Sequence, residues 1–449
     1  MTGLWKDLWL DEVWSIQIAS GMRSPLDVFT LHHEINHYLN TLWVYWIGLT
    51  GTNAQYHLLS FICGITGVLM AVVICRRRGL AAAWIALVLF GFSYEMVAYS
   101  TEARGYAAAV LCTLVAFDAF ERYNAAPNLL WASIYAAAAI LGILSQPIFL
   151  AFLASAILVS IYRLFHSRHS KAQSGVSCST VLLQIIPILA VMMLWWIDMR
   201  FVEIGGGTKT QSLISAYGTA LAWAVGTSQN PFALTVSVVV AVMLISLALR
   251  YLLMDARLFF FGTIVVFPLV LVLARRSAVV YTRHFMIAGV FVLLLLSQLL
   301  GMWWSEGRRV ICCVLIAGYL AVNISNIRRL SEEGRGKYTA ALQEIINRTP
   351  APVVIIGADQ DFRVGKEVRY YLSQIQKARQ AVYRERGSWP DNGPHWIIVQ
   401  RESFESPTPP LDHFIDDRQN NYDFVRAYPT APLSGLHWFI YRNRNIKPD

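Results

Sequence analysis

The sequence predicts a mainly α-helical, polytopic membrane protein that ends in a small α/β domain. Of its 449 residues, 56% are hydrophobic and only 14% are charged, whereas soluble domains average about 25% charged residues. The apolar residues form runs of about 20, long enough to cross the hydrocarbon core of a bilayer. Residues after about 330 contain no such run and are much richer in charge and proline.

We predict about ten transmembrane helices from the apolar runs. Turns as short as Ser145-Gln146-Pro147 separate several of them, so consecutive helices should pack as antiparallel neighbours. The predicted spans are 57–75, 80–98, 104–120, 129–145, 147–165, 180–198, 232–250, 258–274, 284–303 and 309–326. They divide the chain into an extracytoplasmic first loop with a juxtamembrane helix at 1–56, a transmembrane helix bundle at 57–327 and an extracytoplasmic α/β domain at 328–449.

The distribution of Lys and Arg predicts which side faces the cytoplasm. Basic clusters at 76–78, 163–171 and 250–257 fall in alternate connections, as cytoplasmic loops do. These loops account for the net charge of +9 without a nucleic-acid partner. The N-terminus and the C-terminal domain should therefore be extracytoplasmic, in a multi-pass protein of the plasma (inner) membrane. Because an outside N-terminus normally follows a span, we expect an upstream helix to be missing from this sequence.

The C-terminal residues have the pattern of a small soluble domain. The apolar segments 352–357, 396–400 and 436–441 predict strands, and 368–377 predicts a helix. No glycine-rich phosphate loop is present in this part of the sequence, so nothing there predicts nucleotide binding. The six cysteines mostly lie inside apolar runs, without the spacing of metal ligands or disulfide pairs, which is typical of small buried residues.

Four groups of polar residues fall on the predicted outer face. The first is Asp11-Glu12, set among tryptophans. Carboxylates beside a bilayer are costly unless function requires them, although a solvated pair at a flexible N-terminus has the same pattern. The second group is His33, Glu34 and His37. A helix would put both histidines on one face, either as metal ligands or as the polar side of an interfacial amphipathic helix. The aromatic residues at 43–46 argue against a buried zinc-protease helix.

The other two groups lie beside predicted outer turns. Glu102, Arg104 and Tyr106 occupy a very short turn. Arg beside Tyr suits a phosphate or sugar ligand, and a Glu–Arg pair that caps the next helix is the structural alternative. The fourth group breaks the positive-inside pattern and indicates an anionic ligand such as a lipid phosphate, or else a misjudged span; it comprises Arg275, Arg276 and Arg283.

The order of these groups resembles the GT-C superfamily of polytopic membrane glycosyltransferases. The resemblance rests on Asp11-Glu12 in an aromatic first loop, a His/Asn/Tyr-rich segment before Trp46-Ile47-Gly48, Tyr99-Ser100-x-Glu102-Ala103-Arg104-x-Tyr106, and Tyr281-x-Arg283-His284. The nearest branch is bacterial and similar to protein O-mannosyltransferases and to the aminoarabinose and galacturonosyl lipid A transferases. The resemblance covers about 1–330 and, more loosely, the C-terminal domain.

The resemblance implies transfer of a sugar, with inversion, from polyprenyl phosphate to a hydroxyl of a lipid, glycan or protein acceptor. It implies Asp11 as the general base, with Glu12 as an acceptor or metal partner, and Arg283 with Arg275 or Arg276 on the leaving phosphate. The remaining candidates for substrate binding are His33, Glu34, His37, Glu102, Arg104 and Tyr106. Metal dependence varies in the family, so no cofactor is predicted and a divalent metal stays an open alternative.

Two features depart from the family pattern. Members normally have a span before the acidic loop, and many carry His-Pro-Pro where this chain has His33-Glu34-Ile35-Asn36. The main alternative function is a secondary transporter or lipid flippase of cell-envelope precursors. Transporters, however, place ionisable residues at mid-membrane on broken helices and often repeat two halves. The predicted spans here are nearly free of charge, and the sequence shows no internal repeat. The sequence does not identify the sugar, the acceptor or the oligomeric state.

Overall fold

The computed structural model describes residues 2–166, 179–202, 211–274, 280–375 and 381–445. The chain forms two compact units. The membrane unit consists of Ile18–Thr50 and Gln55–Ser325, and the C-terminal unit consists of Met1–Gln17, Gly51–Ala54 and Asn326–Asp449. This division differs from the predicted one, because the first 17 residues group with the C-terminal residues and not with the rest of the first loop.

Helices make up most of the membrane unit. Short juxtamembrane elements come first: the α-helix Leu10–Ser20, which begins in the C-terminal unit, the 3-10 helix Pro25–Phe29 and the α-helix Tyr38–Ile47. The remaining α-helices are Asn53–Arg76, Leu80–Gly91, Tyr94–Ser100, Tyr106–Ala125, Leu129–Ser145, Leu150–His166, Ile185–Ile197, Leu213–Val225, Pro231–Arg250, Met254–Phe261, Phe267–Ala274, Met286–Ser305 and Arg309–Glu333. A π-helix, Gly262–Val266, joins two of them.

Each of the ten predicted spans coincides with a helix or a bent helix pair. Among the described residues, seven helices are long and apolar enough to cross a membrane, or eight if the bent pair Leu80–Gly91 and Tyr94–Ser100 is one span. The predicted count of about ten is therefore not confirmed. Leu213–Val225 is an apolar helix of shorter length in a region where no span was predicted.

The helix Met286–Ser305 forms the centre of the membrane unit. The span that contains it has 89% of its apolar window buried, against 22–44% for the other candidate spans. Phe291 on this helix packs its ring 5.4 Å from Phe117 and 5.3 Å from Phe259. At Gly301 an added Cβ would lie 2.6 Å from the Cβ of Ala82, so the two helices approach as closely as small residues allow. The outer helices expose Leu, Ile and Val, as a lipid-facing surface requires.

The C-terminal unit is a mixed sheet covered by two helices. Its strands are β1 Val354–Ala358, β2 Ala381–Tyr383, β3 Trp396–Glu402, β4 His413–Ile415, β5 Asn421–Tyr428 and β6 Leu436–Asn443, in the order β2-β1-β3-β6-β5-β4. β1 runs parallel to β2 and β3, and the other pairs are antiparallel. The helices are Tyr338–Asn347 and Asp361–Gln374. The predicted α/β class is confirmed. The strands β2, β4 and β5 were not predicted.

Both faces of the central strands are buried. On one face Ile397, Phe439 and Tyr441 share a core cluster. On the other face the ring of Trp438 lies 4.7 Å from that of Tyr338 on the first helix. Because successive strand residues point to opposite faces, a strand buried on both sides is a continuous apolar run. That is why the sequence predicted β3 and β6, whereas the three-residue edge strands β2 and β4 and the half-exposed β5 were not predicted.

Candidate functional site

Asp11 and Glu12 lie in the first turn of the helix Leu10–Ser20, within the C-terminal unit, and both side chains are buried. Glu12 Oε2 accepts the backbone N–H of Trp9 at 3.0 Å. A carboxylate three residues after the N-cap satisfies one of the N–H groups that a helix start leaves without a partner. Glu12 therefore has a structural role at the helix start.

The surroundings of Asp11 in the C-terminal unit are acidic. Glu367, on the helix Asp361–Gln374, is fully buried. Burial raises the pKa of Glu367 well above its ordinary value, and the charge of Asp11 adds to the rise, while Arg363 acts against it. Neighbouring carboxylates resist sharing charge. Burial and the neighbouring Asp11 therefore both favour the neutral form of Glu367.

In the membrane unit, the imidazole of His37 has polar neighbours at both ring nitrogens. The backbone N–H of Gly105 donates to Nδ1 at 2.9 Å, and an amino group of Arg104 lies 3.1 Å from Nε2. The side-chain nitrogen of Gln146 lies 2.8 Å from the same Nε2. Burial lowers the pKa of His37 well below its ordinary value, and the charges of Arg104 and Arg283 lower it further. His37 is therefore a neutral, buried acceptor and not a cation.

Glu102, Arg104 and Tyr106 form a buried turn before the helix Tyr106–Ala125, in contact with His37. Arg104 Nη1 lies 3.9 Å from Glu102 Oε1, and its guanidinium lies 5.2 Å from the centre of the Tyr106 ring. The Tyr106 ring packs edge-on against His37 at 5.5 Å. The turn is tight: a Cβ on Gly105 would lie 1.9 Å from the carbonyl oxygen of Ser145. Only glycine fits this close approach.

Arg283 belongs to the same region of the membrane unit. It lies in the 3-10 helix Thr282–Phe285, with its guanidinium 4.5 Å from the centre of the Tyr281 ring, and it is close enough to His37 to lower the pKa of that side chain. Arg275 and Arg276 lie outside the described residues. The structure thus brings together five of the predicted residues in one cluster: His37, Glu102, Arg104, Tyr106 and Arg283. Asp11 and Glu12 belong to the other unit.

The predicted helical pairing of His33 with His37 is wrong. The helix begins at Tyr38, with His37 as its N-cap, and residues 33–35 form a bridge and a turn. His33 is half-buried and its Nδ1 accepts the N–H of Ile35 at 3.2 Å; Glu34 is also half-buried. Among the described residues, no three His, Cys, Asp or Glu side chains come together as a metal site. The sequence has the right spacing for a shared face, but an i, i+4 pair meets only where the backbone is helical.

Two sets of polar residues were not among the predicted site residues. Gln146 was treated only as part of a tight turn, although a polar residue between two apolar runs was a signal. His32 Nδ1 lies 2.5 Å from Oδ1 of the buried Asp198, which also accepts the hydroxyl of Tyr38. His32 adopts a positive φ of 46°, a conformation rare outside glycine. Its partner is 166 residues away, so no local pattern could have revealed the pair.

The cluster in the membrane unit can hold an anion and a polar ligand together. Arg104 and Arg283 supply permanent positive charge, and guanidinium groups bind phosphate with paired hydrogen bonds. Glu102 keeps part of that charge balanced, which lowers the cost of burial. Buried charges near a bilayer are retained where function needs them.

Comparison with known proteins gives a structural likeness. No protein-family model matches the sequence, and no curated protein sequence matches it. The fold is similar to the crystal structure of ArnT from Cupriavidus metallidurans in the apo state, with a TM-score of 0.53 and 12% identity over 98% of this chain and 94% of that one. The structure of ArnT from the same organism bound to undecaprenyl phosphate gives a TM-score of 0.45 and 11% identity over 98% and 95% of the two chains.

The first of these likenesses shows that the chain has the same overall fold as ArnT, a helical membrane bundle with a small C-terminal α/β domain, as predicted. The apolar helices and this fold identify a multi-pass membrane protein. Fold likeness at 12% identity does not carry an activity with it. The activity has to be argued from the residues.

Proposed function

We propose that this protein is a glycosyltransferase that moves a sugar from a polyprenyl-phosphate donor to an acceptor hydroxyl. The reaction takes place on the extracytoplasmic face of the plasma membrane, and the C-terminal unit lies on that side. The buried His37, Glu102 and Arg104 with the half-buried Arg283, in an ArnT-like fold, are the observation that carries the proposal. It offers cations for a phosphate and neutral acceptors for hydroxyl groups in one place.

The arginines have the chemistry for the leaving group. As the bond between the sugar carbon and the phosphate oxygen breaks, negative charge grows on the lipid phosphate. Fixed guanidinium groups stabilise that charge more than they stabilise the uncleaved donor, which is what accelerates a reaction. We assign this role to Arg283 with Arg104, and the resemblance extends it to Arg275 or Arg276. Tyr106, His33 and Glu34 remain candidates for contacts with the sugar.

Asp11 is proposed as the general base that takes the proton of the acceptor hydroxyl while the new carbon–oxygen bond forms. A carboxylate within hydrogen-bond reach of the hydroxyl supplies this catalysis. The burial of Asp11 supports the assignment, because Asp is rarely buried without a structural or functional reason. Attack on the face opposite the phosphate gives inversion. The acceptor, whether lipid, glycan or protein, is expected to be recognised by the C-terminal unit.

The first experiment incubates the purified full chain in lipid nanodiscs with a panel of radiolabelled polyprenyl-phosphate sugars and measures free lipid phosphate. Release from one donor would establish the enzyme class and name the sugar. No release from any donor would contradict the proposal and favour transport, since the bent pair Leu80–Gly91 and Tyr94–Ser100 carries the buried Glu95, the kind of feature that transporters use.

Asp11→Asn should reduce turnover by about a hundredfold or more, because an amide cannot accept the proton. Expression and melting temperature should stay close to those of the wild type. The matched control is Asp391→Asn, also in the C-terminal unit but fully exposed, which should leave turnover unchanged. Wild-type turnover by Asp11→Asn would show that the base is another group.

A further inference from the structure

Among the described residues, the buried oxygens of the membrane unit that have no hydrogen-bond partner include three from uncharged side chains near His37: Tyr99 Oη, Asn40 Oδ1 and Asn36 Oδ1. The three side chains are 1%, 1% and 6% exposed. The orientation of both amides is fixed, because Nδ2 of Asn40 donates to the carbonyl of Ala103 at 2.7 Å and Nδ2 of Asn36 donates to that of Val28 at 2.6 Å. The atoms left over are therefore acceptors. Such groups are rare in folded proteins and call for an explanation.

These oxygens adjoin the cluster already described. Ala103, which binds Asn40, stands between Glu102 and Arg104 in the same turn. The ring of Tyr99 lies 5.0 Å from that of Tyr106, which in turn packs on His37. Asn36 and Asn40 flank His37 and the start of its helix. The turn at 102–105, the end of the helix before it and the helix start at His37 thus position both Arg104 and the unpaired oxygens.

The cluster therefore combines two kinds of polar group. Arg104, Arg283 and Gln146 contribute N–H donors, which suit an anion. Asn36, Asn40 and Tyr99 contribute two side-chain carbonyls and a phenol, which suit a group rich in O–H donors. A sugar joined to a phosphate has both features, with hydroxyl groups on the ring and negative charge at the linkage.

We propose that Tyr99, Asn40 and Asn36 form a hydroxyl-binding subsite for the sugar ring of the donor, and that Tyr99 determines which sugar is accepted. The proposal rests on the proposed function and makes it more specific. Because these oxygens are paired only when a hydroxyl meets them, they favour the correct sugar over one that lacks that hydroxyl. In the protein alone they lower stability, the usual relation between a binding site and the fold that carries it.

The experiment combines Tyr99→Phe with donors that lack one hydroxyl at a time. The wild type should use one of these deoxy donors at least tenfold less efficiently, measured as kcat/KM for release of lipid phosphate. Tyr99→Phe should use that deoxy donor and the complete donor about equally. Tyr135→Phe is the matched control, since Tyr135 is also fully buried in the membrane unit but its hydroxyl donates to Gln184 Oε1 at 2.6 Å.

Stability provides an independent readout. Tyr99→Phe removes an unpaired hydroxyl, so its melting temperature should equal or exceed that of the wild type. Tyr135→Phe breaks a buried hydrogen bond, so its melting temperature should fall while its preference among donors stays the same. A Tyr99→Phe variant that melts lower, or that loses activity equally with every donor, would overturn the proposal, because the hydroxyl would then have a structural role.

A binding measurement separates this proposal from the transfer reaction. The wild type should be stabilised against heat more by a polyprenyl-phosphate sugar than by polyprenyl phosphate alone, and Tyr99→Phe should lose that difference. If no donor is turned over but this difference remains, the transferase proposal fails and the subsite stands. If donors are turned over and the wild type shows no difference, the subsite is wrong and the transferase proposal stands.

Discussion

Each unit of this protein contains a fully buried ionisable side chain whose neutral form is favoured by burial and by a nearby charge: His37 in the membrane unit and Glu367 in the C-terminal unit. The pKa of His37 is lowered well below its ordinary value by burial and by two arginines. The pKa of Glu367 is raised well above its ordinary value by burial and by Asp11. The same desolvation therefore acts on a base and on an acid with opposite results, since it always disfavours the charged form.

The comparison shows where charge is available in each unit. Around His37 the permanent charges are guanidinium groups, so the membrane unit is equipped for an anion. Around Glu367, burial and the neighbouring Asp11 favour the neutral carboxyl group, so the C-terminal unit contains a buried pair of acidic side chains. A transferase that uses a sugar phosphate needs both properties. Removing a positive charge near His37 should therefore lower the stability of the membrane unit. Replacing the acidic group of Glu367 should instead raise the stability of the C-terminal unit at neutral pH.

The largest effect is expected from Arg104→Met, which keeps much of the side-chain volume and removes the charge. Glu102 would remain buried without its cation, at a cost of about 3–5 kcal/mol, and His37 would lose one of the two charges that lower its pKa. The melting temperature of the membrane unit should fall and donor turnover should be lost. Arg328→Met is the control, because the Arg328–Glu332 pair is exposed and should contribute almost nothing. Equal melting temperatures for the two variants would contradict the assignment of Glu102 and Arg104 as a buried pair.

Glu367→Gln should change how the C-terminal unit responds to alkaline pH. Above pH 4.5, the ordinary pKa of the group, an unfolded chain releases the proton that the folded one retains. Stability therefore falls as pH rises from 4.5 toward the raised pKa, by about 1.4 kcal/mol per pH unit. The glutamine variant should lack this fall and melt higher than the wild type at neutral pH. Tryptophan fluorescence of the C-terminal unit follows the transition, and the exposed Glu385→Gln should keep the wild-type slope.

His37→Gln should have a smaller effect, confined to acidic pH. Below pH 6.5 an unfolded chain takes up a proton that the buried imidazole does not. The stability of the membrane unit is therefore complete above pH 6.5 and falls as pH drops, by about 1.4 kcal/mol per pH unit until the lowered pKa is reached. The glutamine variant should be less sensitive between pH 6.5 and 5, as measured by melting in nanodiscs. An unchanged acid slope would mean that His37 is already protonated in the folded protein.

The sequence predicted the fold class through signals that are local. An apolar run of about 20 residues predicts a span whatever surrounds it, because the bilayer requires it. Each of the ten runs is helical in the structure, and the continuous apolar segments around Ile397 and Phe439 are strands. The number of spans was less predictable, since the helix Leu129–Ser145 and the bent pair at 80–100 fall short of a straight crossing.

The candidate site was predicted in part. The charges of Glu102, Arg104 and Arg283 were conspicuous because charged residues beside apolar runs are expensive. Gln146 was noted only as part of a turn, and Asn40 and Tyr99 only as members of polar segments, because an amide or a phenol at the end of a span is common. What makes them notable is which of their atoms have partners, and that depends on segments far apart in the chain.

The sequence by itself determined the helical membrane class, the α/β end domain and the identity of the charged residues, because these follow from composition and spacing along the chain. Only the tertiary structure decided that His37 meets Gly105, Arg104 and Gln146, that the first 17 residues group with the C-terminal unit, and that three oxygens near Arg104 are left unpaired. Burial and pairing depend on contacts between distant segments, and those contacts set both the pKa of a side chain and the ligand that it can bind.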